Sequence, residues 1–239
     1  MLTLVPTPIG NLEDITLRAL KVLRESEVIL AEDTRVTQKL LQHFEITTPL
    51  WAYHAHNEHK NTPHLVEQLL AGKKMALVSD AGTPAISDAG FLLVRACVQA
   101  GIEVICLPGA TALVPAVVMS GLAADKFFYE GFLPHKKGKQ TRVKFLASLP
   151  NTFVLYESPH RLVKTLIMLS EFCGQERQAV VIREISKMYE QKHRGNLSEL
   201  IEFFQITQPD KVRGEIVIVV EGNSDSNGLV ELGTEEETE

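Results

Sequence analysis

With 239 residues, 45% hydrophobic and 23% charged, the chain has the balance of a globular protein and room for one large or two small domains. Its net charge of −6 sits at the end: the acids after Gly222 (Asp225, Glu231, Glu235, Glu236, Glu237 and Glu239) stand without a base, which leaves 24 acids against 24 Lys and Arg in residues 1–222. A neutral body excludes a uniformly basic nucleic-acid binder, and residues 223–239 are expected as an acidic, disordered tail. Residues 2–5 predict a short buried strand, ending in the constrained turn Pro6-Thr7-Pro8-Ile9-Gly10-Asn11. Asp14 is a candidate cap for a helix to about residue 25, with Leu17, Leu20 and Leu23 on one face. A strand over 28–31 leads into Glu32-Asp33-Thr34-Arg35, then a helix over 36–43 and a weaker strand over 50–53. After the polar segment 54–59 come a helix over 61–70, a strand over 75–78 and a helix from Ser87 or Asp88 to residue 100. A strand over 103–107 follows. Strands alternating with helices at this spacing predict a parallel sheet with helices on both faces, and ligands bind such sheets at the carboxyl ends of the strands.

Beyond a boundary near residue 121 the alternation continues: strands over 127–132, 152–156, 179–183 and 215–221, helices over 140–148, 159–171 and 197–204. This makes a second α/β domain over 122–222, about a hundred residues. Residues 104–124 carry no charge, long enough to raise a membrane span, but Pro108, Gly109, Pro115 and Gly121 interrupt them and predict strand, turn and helix. The first ten residues have no basic region and meet Pro6 early, so no signal peptide is expected. Cys97, Cys106 and Cys173 form no CxxC; they read as buried thiols of a cytoplasmic protein, without a membrane partner.

Residues 78–90, VSDAGTPAISDAG, are the stretch around which the first domain is organised. A buried strand breaks into a turn of small residues, Ala81, Gly82, Thr83 and Ala85, where backbone can approach a ligand closely. It is no GxGxxG, and nothing argues for a dinucleotide site. Read blandly, it is an ordinary strand-to-helix turn.

TPIGNLEDIT, AEDTR, SDAGTPAISDAG, GFLPHKKG, YESPHRL and REISK, in this order over about residues 1–222, resemble the tetrapyrrole methylase superfamily. Within it they resemble the bacterial 2′-O-methyltransferases that act on a cytidine in the decoding region of 16S ribosomal RNA. Ala89 and Ala110 depart from the prolines usual there; both lie where proline only preorganises φ. The resemblance implies two α/β domains with S-adenosylmethionine in the cleft between them, a homodimer, and 16S rRNA or the small ribosomal subunit as partner. It carries cofactor contacts to Pro8, Ala81, Gly82, Thr83, Ile86, Thr111 and Ala112, and in the second domain to Tyr156 and Ile185. The residue chemistry agrees, because a sulfonium nucleoside needs an apolar slot with backbone donors rather than a strong anion cradle.

The superfamily carries an acidic residue at about Glu32 that is tied to catalysis, and methylating a 2′-hydroxyl needs a proton acceptor. The candidates for the catalytic cluster are Glu32, Asp33, Arg35, His56, Asn57 and Glu58. A structural alternative has Asp33 capping a helix while Arg35 pairs with Glu32. His54, His56, Glu58 and His59 also resemble the ligand run of a binuclear metal hydrolase, though without downstream ligands at metal spacing; no metal is expected. Residues 131–156 hold Lys136, Lys137, Lys139, Arg142 and Lys144 and no acid. With Arg161 they form a candidate RNA-phosphate patch, against the plain alternative of a solvated face. Rival functions are a tetrapyrrole-precursor C-methyltransferase, a metal-dependent hydrolase and a non-catalytic ribosome-binding module.

Overall fold

The computed structural model describes residues 1–207 and 212–223; from residue 224 on, the expected acidic tail lies outside them. The chain divides into two compact units, Met1–Ala112 with Ser186–Met188, and Leu113–Ile185 with the chain from Tyr189 onward.

In the first unit β1 (Leu2–Leu4), β2 (Val28–Ala31), β3 (Leu50–Ala52), β4 (Met75–Val78) and β5 (Val104–Cys106) form one parallel sheet in the order β3-β2-β4-β1-β5. The helices α1 (Leu17–Glu25), α2 (Thr34–His43), α3 (Glu58–Leu70) and α4 (Phe91–Gln99) follow strands as crossovers. Every residue of β4 is buried, and its side chains alternate between two cores. Met75 and Leu77 join Leu2, Leu65 and Leu93, while Ala76 and Val78 join Leu23, Ile29 and Leu41. A strand with both faces covered reads as a continuous apolar run, which is why this sheet is visible in the sequence.

The second unit contains α5 (Leu113–Ser120), β6 (Phe127–Phe132), α6 (Lys139–Ala147), β7 (Thr152–Glu157), α7 (Leu162–Cys173), β8 (Gln178–Arg183), β9 (Gln191–Asn196), α8 (Leu197–Glu202) and β10 (Ile216–Val220). Its sheet has the order β6-β7-β10-β8-β9 and is mixed: β6 runs parallel to β7, β10 antiparallel to β7 and β8, and β8 antiparallel to β9.

Several expectations are corrected. The division falls at Ala112, not residue 121, because α5 packs against β8 and β10 and Arg194 donates to the carbonyls of Met119 and Ser120 at its C-terminal end. The uncharged run 104–124 is thereby split into β5 and α5, and no helix among the described residues is long and apolar enough to cross a membrane. Thr16, not Asp14, caps α1, its side chain accepting from the Ala19 N–H. Helix α4 starts at Phe91 rather than Ser87 or Asp88, since Ala85 (φ +67°) and Ser87 (φ +64°) are left-handed. Strand β9 escaped the sequence reading: QKHRGN is a polar edge strand with no apolar alternation. Cys106, expected buried, is exposed on the edge strand β5.

The loops after β1 and β5 pack tightly. A Cβ built on Gly109 would lie 2.8 Å from the Pro6 Cβ, and a proline ring has little freedom to yield. Gly109→Ala is expected to lower stability by about 1–3 kcal/mol, read from chemical denaturation midpoints at unchanged m-value.

Candidate functional site

The loops that follow β1, β4 and β5 are fastened to one another. Thr7 and Gly82 exchange two backbone hydrogen bonds, each 2.9 Å. The Thr7 hydroxyl donates to the Ser79 carbonyl at 3.1 Å, and the Thr83 hydroxyl to the Ala110 carbonyl at 3.2 Å. Gly82 holds φ +81°, and a Cβ there would occupy space 3.5 Å from Ile9 Cγ2 and 3.9 Å from the Ala110 oxygen. The crossing of the loops is thus bare backbone flanked by half-buried Pro8, Ala81, Thr83, Thr111 and Ala112, with Ile86 41% exposed. All seven cofactor candidates of the first unit lie on these loops. Their chemistry suits a nucleoside sulfonium: small and apolar surface, peptide groups for a base edge, and no cluster of cations to draw a phosphate instead. In the second unit Tyr156 lies half-buried near the end of β7, edge-on to Tyr129 (5.3 Å) and Phe132 (5.6 Å), and Ile185 is buried just after β8.

The acids at the end of β2 have contrasting surroundings. Asp33 is the N-cap of α2, accepting from the Arg35 backbone N–H at 2.8 Å and from its guanidinium at 2.6 Å. These bonds hold its carboxyl well below the usual carboxylate range. Arg35 therefore pairs with Asp33, not with Glu32 as the structural alternative had it. Glu32 is half-buried, and its pKa is raised by burial first and then by the charges of Asp88 and Asp80. Asp80 also accepts the Asp33 backbone N–H at 2.9 Å, which ties the loop after β4 to the start of α2. Asp88 is pushed up to about 6 by burial and by Asp80, against a hydrogen bond from Ser79. Sequence reasoning assigned Asp80 to a turn and Asp88 to a cap and missed their closeness to Glu32. The repeated Ser-Asp of 79–80 and 87–88 was the available signal.

The segment after β3 folds on itself. Asn57 accepts the His54 backbone N–H at 2.9 Å, donates to the Ala52 carbonyl at 3.1 Å and faces His54 Nε2 at 3.2 Å. Asn57 is thus occupied in shaping the turn, while His56 is exposed and Glu58 half-buried in the first turn of α3. Among the described residues no three His, Cys, Asp or Glu side chains are grouped to hold a metal ion.

The basic patch of the second unit separates into two kinds of residue. Lys136 and Lys137 are exposed. Arg142 donates twice to Glu130 (2.6 and 2.8 Å), whose side chain is 5% exposed. Arg161 lies 3.2 Å from the fully buried carboxylate of Glu157 and donates to the Leu133 carbonyl at 2.8 Å. Lys139 is half-buried on Thr165, which itself donates to Glu157 at 2.6 Å. Arg142 and Arg161 are each paired with a buried acid, whose charge they neutralise, which sets them apart from Lys136 and Lys137.

A family model described as tetrapyrrole (corrin/porphyrin) methylases matches residues 1–201. The chain is 52% identical over 223 residues to a Synechocystis protein named ribosomal RNA small subunit methyltransferase I, covering 93% of this chain and 79% of that one. To the protein of the same name from Escherichia coli O157:H7 it is 46% identical over 223 residues, 93% of this chain and 78% of that one. Its fold matches that of uroporphyrin-III C-methyltransferase from Thermus thermophilus, solved in complex with S-adenosyl homocysteine, with TM-score 0.62 at 19% identity over 95% of this chain and 99% of that one.

The Asp88 environment sets a pH dependence. Folding raises this carboxyl from its ordinary 3.8 to about 6, so between those values the folded chain binds more protons than the unfolded one. Stability contributed at Asp88 therefore falls as pH rises through that window, and the penalty is complete above about pH 6. Asp88→Asn is expected to melt higher than wild type at about pH 8, with the difference vanishing below about pH 4.

Proposed function

Since the chain belongs to the tetrapyrrole (corrin/porphyrin) methylases, we propose that it is an S-adenosylmethionine-dependent methyltransferase of 16S ribosomal RNA, acting in the cytoplasm on the ribose 2′-hydroxyl of a cytidine in the decoding region. The observation that carries this reading is the 52% identity, over 93% of the chain, to a protein named as a small-subunit rRNA methyltransferase. The likeness to a uroporphyrin-III C-methyltransferase, at 19% identity, concerns the fold and does not favour a tetrapyrrole substrate.

In this reading the cofactor lies on the fastened loops of the first unit, against Gly82, Thr83, Thr111 and Ala112. When bound, S-adenosylmethionine supplies an electrophilic methyl group on a sulfonium centre. The chain's own task is then to orient the ribose and remove its proton, because a neutral hydroxyl is a poor nucleophile. Glu32 is the proton acceptor that the electrostatics favour. Burial and the neighbouring Asp88 and Asp80 raise its proton affinity, whereas Asp33, held by Arg35, is a weak base. Asp33 and Arg35 act instead by fixing the start of α2, and Asn57 by fixing the turn that presents His56 and Glu58.

Glu32→Gln is expected to slow single-turnover methyl transfer to small-subunit rRNA by about 10²–10⁴ with little change in cofactor affinity. Asp33→Asn keeps a good capping side chain and should stay within a few-fold of wild type. Equal losses in the two variants would remove Glu32 from this role, and mass spectrometry of rRNA from cells with and without the gene tests the substrate itself.

In the second unit Lys136 and Lys137 are the proposed phosphate contacts. Replacing both with Ala should lower the slope of log affinity for rRNA against log salt by roughly 0.7–0.9 for each contact. A wild-type slope in the double variant would make them a solvated face only.

A further inference from the structure

Beside the loop that carries Glu32 lies an open cavity of about 310 Å³, lined by Leu30, Trp51, Ala52, Asn61, His64 and Leu65. We propose that it takes an unpaired nucleobase of the RNA substrate, stacked on Trp51 and read along its edge by the Asn61 amide; this rests on the reading of the chain as an rRNA methyltransferase.

Three features point to a flat, polar-edged ligand. The first is the indole: the sequence has one tryptophan, and it stands 37% exposed on the edge strand β3 instead of in a core. The Lys73 ammonium lies over one face of the indole, 4.4 Å from the ring centroid, a cation joined to an aromatic surface as in sites for single-stranded nucleic acid. The second is a fixed rim. Lys73 donates to Gln68 Oε1 at 3.0 Å, which leaves the Gln68 amide nitrogen to donate to His64 Nε2 at 2.6 Å. Indole, ammonium, amide and imidazole are thereby held in one chain, whose two ends, Trp51 and His64, line the cavity. The third is Asn61, half-buried in the lining, whose side-chain amide makes no hydrogen bond among the described residues. It offers one acceptor and two donors, the complement of a base edge. The floor, Leu30 and Leu65, is buried and apolar.

The position fits the chemistry. Leu30 pairs with Trp51 and Ala31 with Ala52 in parallel register, and Leu30, the β2 residue of the lining, stands two residues before Glu32. A base seated there belongs to the nucleotide being methylated or to its neighbour. A base inside a duplex has both faces covered by its stack, so the ligand must be unpaired or extruded.

The sole tryptophan makes the test direct. Wild-type protein is titrated with a short, unstructured, cytidine-containing oligoribonucleotide, and with an oligomer of the same length whose riboses are abasic. Saturable quenching of tryptophan fluorescence by the first and none by the second is the expected result. In Asn61→Leu the quenching curve should shift to about tenfold higher oligonucleotide concentration. With a labelled oligonucleotide, Trp51→Leu should bind about tenfold more weakly and Trp51→Phe, which keeps a stacking face, should recover most of the loss. No quenching by the first oligomer, equal quenching by both, or Trp51→Leu binding like wild type overturns the proposal. Methyl transfer to small-subunit rRNA by the same wild-type preparation is read separately. Transfer without base-dependent quenching removes the pocket and keeps the function, and quenching without transfer does the reverse.

Discussion

Two backbone hydrogen bonds between Thr7 and Gly82 hold the candidate site in shape. They join the loops leaving β1 and β4, neighbouring strands at the middle of the parallel sheet. The exchange requires Gly82 to turn both its N–H and its carbonyl toward Thr7, which it does at φ +81°, where a side chain would be strained. Thr83 is then in reach of the Ala110 carbonyl, and the loop after β5 is tied to the other two. The cost appears downstream. Ala85 and Ser87 adopt left-handed backbone, of order 1 kcal/mol or more each, and α4 cannot begin until Phe91. Gly90 ends this stretch so close to the sheet that a Cβ would sit 3.0 Å from Leu77 Cδ2.

That late helix start determines the electrostatics. Had the helix begun at Ser87 or Asp88, Asp88 would have been a solvated cap near a favourable dipole. Held in the loop, it is half-buried and shares an electrostatic neighbourhood with Asp80 and Glu32. Glu32 and Asp33 are adjacent in sequence yet differ in opposite directions, one raised by burial and like charges, the other lowered by a capping bond and a guanidinium. Burial and the acids of a loop some fifty residues away set one side of this divergence, and Arg35, two residues along the chain from Asp33, sets the other.

Much of the fold was legible because the central strands of the first unit, β1, β2 and β4, are buried throughout and read as short apolar runs between turns. β2, β4 and β6 match the expected bounds residue for residue. What was illegible depended on long-range partners. β9 is a strand only because β8 offers it a ladder, register Gln178↔Asn196 to Arg183↔Gln191; its own residues favour solvent. α5 belongs to the second unit because its apolar face meets β8 and β10, which no local pattern states. The catalytic candidates were readable as a list, but the contrast between Glu32, beside Asp80 and Asp88, and Asp33, which caps α2, required partners that no local pattern names.

The basic patch divides in the same way. The window from residue 131 to 156 contains no acid, but Glu130 and Glu157 stand immediately outside it, and they are the acids to which Arg142 and Arg161 are bound. A charge run is usually a solvated face, yet Arg142, its side chain 40% exposed, and Arg161, 19% exposed, are each bound to a buried carboxylate. Glu157 illustrates how complete that demand is, since it also accepts from the Thr165 hydroxyl and the Ser158 N–H. Removing either arginine would leave a buried carboxylate without its guanidinium partner, so the two serve the integrity of the second unit before any ligand. What remains exposed for a polyanion is Lys144 on α6 and the pair Lys136 and Lys137 on the turn before it, where charge can meet phosphate without first being desolvated.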